Sequence, residues 1–67
     1  MNNVHYNVSG LANSESKTKV TNALNKIEGV QKIAVDLARG TIEVHYNEAT
    51  NPQQIQQCIE HTGYIIN

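Results

Sequence analysis

Cys58 is the only cysteine in the chain, and His61 follows it three residues later. On a helix that spacing puts both side chains on one face. A thiol and an imidazole are soft-to-borderline donors, so the pair is a candidate ligand set for a transition-metal ion. Two ligands are few, and a cysteine within an apolar stripe also reads as a small core residue. His5 and His45 form a second pair, each inside a repeated Val-His-Tyr-Asn segment. If they share a sheet face they are either ligands for a borderline divalent ion or ordinary polar residues facing solvent. A third group follows Gly10: Ser14, Ser16, Lys17 and, from a later turn, Arg39. Hydroxyls and cations at a helix start suit an anion or an acidic protein surface, with Glu15 working against it. One thiol makes neither an internal disulfide nor a Cys-x-x-Cys clamp. No Ser-His-Asp set, Cys-His nucleophile, paired carboxylates or glycine-rich phosphate cradle can be assembled, so a non-enzyme is expected.

The hydrophobic pattern defines the elements that must position these groups. Val4, Tyr6 and Val8 alternate with polar residues, which predicts a half-buried strand. Gly10 to Ser16 interrupts it. Asn13 or Ser14 can cap a helix there, and Val20, Ala23, Leu24 and Ile27 make one apolar stripe, giving a helix from about Ser14 to Glu28 that Gly29 ends. Ile33, Val35 and Leu37 form a second strand, Ala38-Arg39-Gly40 a tight turn, and Ile42, Val44 and Tyr46 a third strand. Asn51-Pro52 starts a second helix with Ile55, Cys58, Ile59 and Thr62 on its inner stripe. Gly63 stops it, and Tyr64-Ile65-Ile66 is a short last strand. The order is βαββαβ, with one apolar face on each element. The expected fold is α+β: a ferredoxin-like sandwich, two helices over one face of a four-stranded antiparallel sheet. The repeat of Val4-His5-Tyr6-Asn7 as Val44-His45-Tyr46-Asn47 suggests a pseudo-twofold relation between halves.

At 67 residues, 39% of them apolar, the chain is expected to be a single domain spanning 1–67, with a modest core and no deep substrate cavity. Its net charge of -1 lacks the basic excess of a small nucleic-acid binder. Cations lie in the first part, where Lys17, Lys19, Lys26, Lys32 and Arg39 outnumber Glu15, Glu28 and Asp36; from Gly40 onward only Glu43, Glu48 and Glu60 are charged. No apolar run is long enough for a membrane span. The start Met1-Asn2-Asn3-Val4-His5 does not read as a signal peptide, so a cytoplasmic protein is expected.

Val8-Ser9-Gly10-Leu11, Val20, Ala23-Leu24, Gly29-Val30, Ile33-Ala34-Val35-Asp36-Leu37, Gly40, Val44, Tyr46, Ile55, Ile59-Glu60 and Gly63-Tyr64 span nearly the whole chain, from about Val4 to Ile66. With this spacing they resemble the heavy-metal-associated domain of small bacterial copper chaperones. That family holds Cu(I) between two thiolates in Gly-Met-x-Cys-x-x-Cys, in the turn between strand one and helix one. Thiolate softness selects Cu(I), and a helix N-terminus favours the thiolate form. Here the resemblance puts Leu11 at the methionine and Asn13 and Ser16 at the two cysteines. An amide and a hydroxyl are hard, weak donors for Cu(I).

The resemblance therefore implies a domain of metal homeostasis that lacks its dithiolate clamp and acts mainly by protein docking. It implies docking at the turn, with Leu11 as the apolar contact, Lys17 and Arg39 as a basic rim, and Tyr64 at the position that shields the metal. The implied partner is a metal-binding domain of a copper ATPase or a related metal-handling protein, with no nucleic acid or membrane. The chain would be a monomer or weak homodimer. No cofactor is expected beyond a weakly bound copper or other transition-metal ion. The alternatives are a metal carrier using Cys58, His61 or a dimer-shared ligand, and a regulatory or scaffold module unrelated to metal.

Overall fold

The computed structural model describes residues 2–11 and 13–67. Strand β1 (Asn2–Ser9) leads to helix α1 (Ser14–Asn25), strands β2 (Val30–Asp36) and β3 (Thr41–Tyr46), helix α2 (Pro52–His61) and strand β4 (Ile65–Ile66). The strands pair antiparallel in the order β2-β3-β1-β4. This is the ferredoxin-like arrangement expected from the hydrophobic alternation.

Alternation decides which face is inner. In β3, Ile42, Val44 and Tyr46 are buried, while Thr41, Glu43 and His45 remain partly exposed. Val20 and Leu24 of α1 and Ile55 and Ile59 of α2 join the same core cluster as Val8, Ile42, Val44 and Tyr46. Both helices therefore cover one sheet face and leave the other open. The repeated segments cross each other antiparallel, with Val4 paired directly to Val44. That is the register a pseudo-twofold axis through the sheet centre would give.

Strand β2 ends at Asp36, short of Leu37, and β4 starts at Ile65, past Tyr64; two other boundaries differ more from the expectation. Helix α1 stops at Asn25, three residues short of Glu28. Its last turn tightens: Lys26 N–H donates to Ala23 O at 3.3 Å, and Ile27 N–H to Leu24 O at 3.1 Å. Such i-to-i−3 bonds satisfy the terminal carbonyls in place of another α turn. Ile27 still packs on the core from this turn. Strand β2 begins at Val30 rather than near Ile33, because its register shifts between Val30 and Lys32. A bulge at Gln31 lets the strand start earlier than strict alternation allows. Gly29 precedes it at φ +103, where a Cβ would lie 2.8 Å from Asn47 Oδ1. Only glycine accommodates both the angle and that approach.

Candidate functional site

The turn between β1 and α1 begins at Gly10, also at φ +103. The ring of Tyr64 lies against it; a Cβ on residue 10 would sit 2.9 Å from Tyr64 Cδ1. Tyr64, which follows α2, is thus brought onto the turn as the topology expected. Leu11 turns inward. At 9% exposure it belongs to the core cluster, so it is no apolar contact on a docking rim. Its side chain removes more apolar area from water beneath the turn than it would on the surface.

Asn13 settles which residue caps the helix. Its backbone is extended at φ -157, ψ -179, and its Oδ1 accepts the Ser16 N–H at 2.9 Å. Its carbonyl accepts the Lys17 N–H at 3.2 Å, the first bond of the helix. The two positions that the resemblance aligns with metal-ligating cysteines are therefore joined by a cap: the side chain of one holds the backbone of the other. Asn13→Ala should cost about 0.5–2 kcal/mol in chemical denaturation, the usual loss of a good N-cap. Ser16→Ala should stay within about 0.5 kcal/mol of the parent, since Ser16 supplies only its backbone N–H to this bond. A larger loss at Ser16 than at Asn13 would contradict this description of the turn.

Around the cap, Asn13, Glu15, Ser16, Lys19 and Tyr64 line an open concavity of about 300 Å³. The cation on this surface is Lys19. Lys17 is exposed one residue beyond Ser16 but does not line the concavity. Arg39 faces elsewhere. Its hairpin does return to this end, since Gly40 O accepts the Val8 N–H at 2.7 Å. Yet Asp36 receives the Arg39 N–H at 3.1 Å and sits 3.8 Å from its Nε. Arg39 accordingly lines a depression on the open sheet face with His5, Asp36, Thr41 and Glu43.

Cys58 and His61 do share a face. They line a groove of about 400 Å³ between the helices with Ala23, Ile27, Gln54, Gln57 and Thr62. Ala23 lies in the last turn of α1 and Ile27 just beyond it, so the groove runs from the C-terminal end of α1 along α2 to His61 and Thr62. Burial pushes the Cys58 thiol up, and Lys26 only partly offsets it. A thiol held protonated is a poorer ligand than a thiolate. On the open face His5 pairs with Glu43 and Asn3 with His45. Glu43 Oε2 accepts from Asn3 Nδ2 at 3.4 Å and lies 3.7 Å from His45 Nε2. Among the described residues no group of three or more His, Cys, Asp or Glu side chains is placed to hold a metal ion. Nor is any described helix long and apolar enough to cross a membrane.

The fold and the position of this turn define a class. Residues 5–64 match the profile of the Heavy-metal-associated domain, and the chain belongs to that family. Among its relatives is the copper chaperone CopZ of Staphylococcus aureus (strain bovine RF122 / ET3-1), 36% identical over 61 residues that cover 90% of each chain. A solved CopZ metallochaperone superposes with a TM-score of 0.95 at 31% identity, over 98% of this chain and all of the other. The copper-binding domain of HMA7, a P-type ATPase, shares the fold with a TM-score of 0.90 at 24% identity, over 100% of this chain and 95% of that one. The family is one of metal homeostasis, yet this chain has a single cysteine, on α2, and so holds no Cys-x-x-Cys pair.

Proposed function

We propose that this chain is a cytoplasmic, non-enzymatic docking module of metal homeostasis that has exchanged a Cu(I) clamp for a self-contained helix cap. The observation that carries this reading is the Asn13 Oδ1 to Ser16 N–H bond in the turn where the family resemblance places the ligands. The donors there, an amide and a hydroxyl, do not fit a soft monovalent ion. No metal-transfer step is therefore assigned to this turn. The turn keeps its other assets: Tyr64 seated on Gly10, Ser16 half-buried, and Lys17 and Lys19 on the first turns of α1.

These features suit recognition of an acidic surface, and the partner class favoured by the relatives is a metal-binding domain of a copper ATPase. Exposed charge pairs contribute only about 0–1 kcal/mol each, but several together accelerate encounter and make it salt-sensitive. Lys17→Glu with Lys19→Glu should weaken binding to such a domain chiefly through a slower association rate at low salt. Arg39→Glu should do less, because Arg39 leans to the open sheet face beside Asp36. The test is an NMR titration of the labelled chain with a copper-ATPase metal-binding domain from the same cell. Shifts should concentrate in residues 13–19 and around Tyr64. Shifts confined to the open face, sparing those residues, would assign docking to a different surface.

A further inference from the structure

We infer that the free edge of β2 is a self-association surface, through which two copies pair antiparallel about Ala34 and extend the sheet across a twofold axis. Along a strand the backbone N–H and C=O groups of successive residues point alternately to its two edges. Val8 N–H reaches Gly40 O, Asn67 N–H reaches Asn7 O, and Asn47 N–H reaches Gly29 O, at 2.7, 2.9 and 2.8 Å. Even-numbered residues of β3 thus turn their N–H and C=O toward β1, and Thr41, Glu43 and His45 turn theirs toward β2. Their partners Asp36, Ala34 and Lys32 are consumed in that ladder. Ile33 and Val35 point their backbone groups outward, along the edge of the sheet.

The side chains on this edge are complementary to themselves. Lys32, Ala34 and Asp36 are exposed, and Ile33 and Val35 are half-buried against the core. Pairing about Ala34 sets Ile33 opposite Val35 of the second copy and Val35 opposite its Ile33. Those are the residues with free N–H and C=O, so both hydrogen-bonded pairs form from groups that now lack a sheet partner. It also sets Lys32 opposite Asp36 of the second copy, twice by symmetry, which is the isologous pattern a twofold contact requires. Facing residues of a non-hydrogen-bonded pair have Cα atoms about 4.5 Å apart, close enough for the ammonium to reach the carboxylate. Asp36 already accepts the Arg39 N–H. A carboxylate keeps further lone pairs for the lysine.

A one-residue slip in this register would separate the charges and misplace the hydrogen-bonding groups, so the pattern specifies one alignment. Strand β4, the other edge, is only two residues long and offers no such ladder. Because β2 and β4 are opposite edges, a dimer at β2 leaves Tyr64 and the β1–α1 turn uncovered. The inference stands whether or not the docking reading above is correct.

So short a contact falls below the roughly 1,000 Å² of a durable interface, and the dimer should be populated only toward about 1 mM chain. Sedimentation velocity at low salt, with reductant present so that Cys58 cannot cross-link, should show the parent's average sedimentation coefficient rising with concentration. Lys32→Glu and Asp36→Lys, each alone, put like charges opposite each other twice, and each should weaken association about tenfold. Mixed in equal amounts the two variants restore opposite charges in both pairs, and association should return. Val35→Pro removes an outward N–H without touching the ladder to β3, so it should remain monomeric with an unchanged far-UV spectrum. A parent that stays monomeric at about 1 mM, a mixture that does not recover, or a dimer indifferent to Val35→Pro would each overturn the proposal.

Discussion

Leu24→Ala should lower the unfolding free energy by about 2–5 kcal/mol, the range for removing a large aliphatic side chain from a packed core. Leu24 has no exposed surface and packs into the core from the last turn of α1, with Val20 one turn before it and Ile27 just after the helix. A domain of 67 residues has a total stability of only about 3–10 kcal/mol, so one cavity removes a large share of it. In a domain of this size each kcal/mol moves the midpoint by about 4–8 °C, so thermal melting should fall by at least about 8 °C. Melting within a degree or two of the parent would mean that α1 presents another face to the sheet.

The second large effect concerns metal. Replacing Asn13 and Ser16 together by cysteine should create a Cu(I) site that binds orders of magnitude more tightly than the parent chain. The backbone that would carry the thiolates is already in place: an extended residue 13, a helix start at residue 14, and Tyr64 covering Gly10. A thiolate at the start of a helix is favoured by the oriented N–H groups, and its softness matches Cu(I). The exchange has a cost. Losing the Asn13 side chain removes the cap, so the metal-free double variant should be less stable than the parent by about 0.5–2 kcal/mol. Binding should then restore and exceed that stability, because a ligand bound only by the folded state shifts the equilibrium toward it. Thermal melting with and without Cu(I) reads both halves. A double-cysteine chain that binds no better than the parent would show that this turn has lost the backbone geometry a dithiolate needs.

Which features were legible in the sequence follows from the range of the interactions behind them. Strand alternation and helix stripes are local consequences of which residues avoid water, so Ile42, Val44 and Tyr46 could be assigned to the inner face directly. Asn51-Pro52 likewise announced the start of α2, where Asn51 Oδ1 accepts the Gln54 N–H at 2.9 Å. The capping choice between Asn13 and Ser14 was ambiguous because both residue types cap well. The extended backbone at Asn13 decides it. Leu11 beside a glycine in a polar turn carries no sign of whether the turn folds over the core, and only tertiary packing buries it. Arg39 illustrates the same limit. Its hairpin lies at the expected end of the sheet, but Asp36 determines where the side chain goes. For Cys58 and His61 the helical spacing correctly placed both on one face, while the packing of α1 against α2 determined that this face opens on Ala23 and Ile27.

The contrast between a family built to hold copper and a chain with its only cysteine on α2 makes Cu(I) affinity the deciding quantity. The direct measurement is a competition titration of the reduced parent chain against a chelator of known Cu(I) affinity, with the Asn13→Cys/Ser16→Cys chain alongside. The parent should leave the metal with the chelator at concentrations where the double-cysteine chain withdraws it. Tight, stoichiometric capture by the parent would contradict the account. If Cys58→Ser then abolished that capture, the chain would be a carrier working from the groove between its helices.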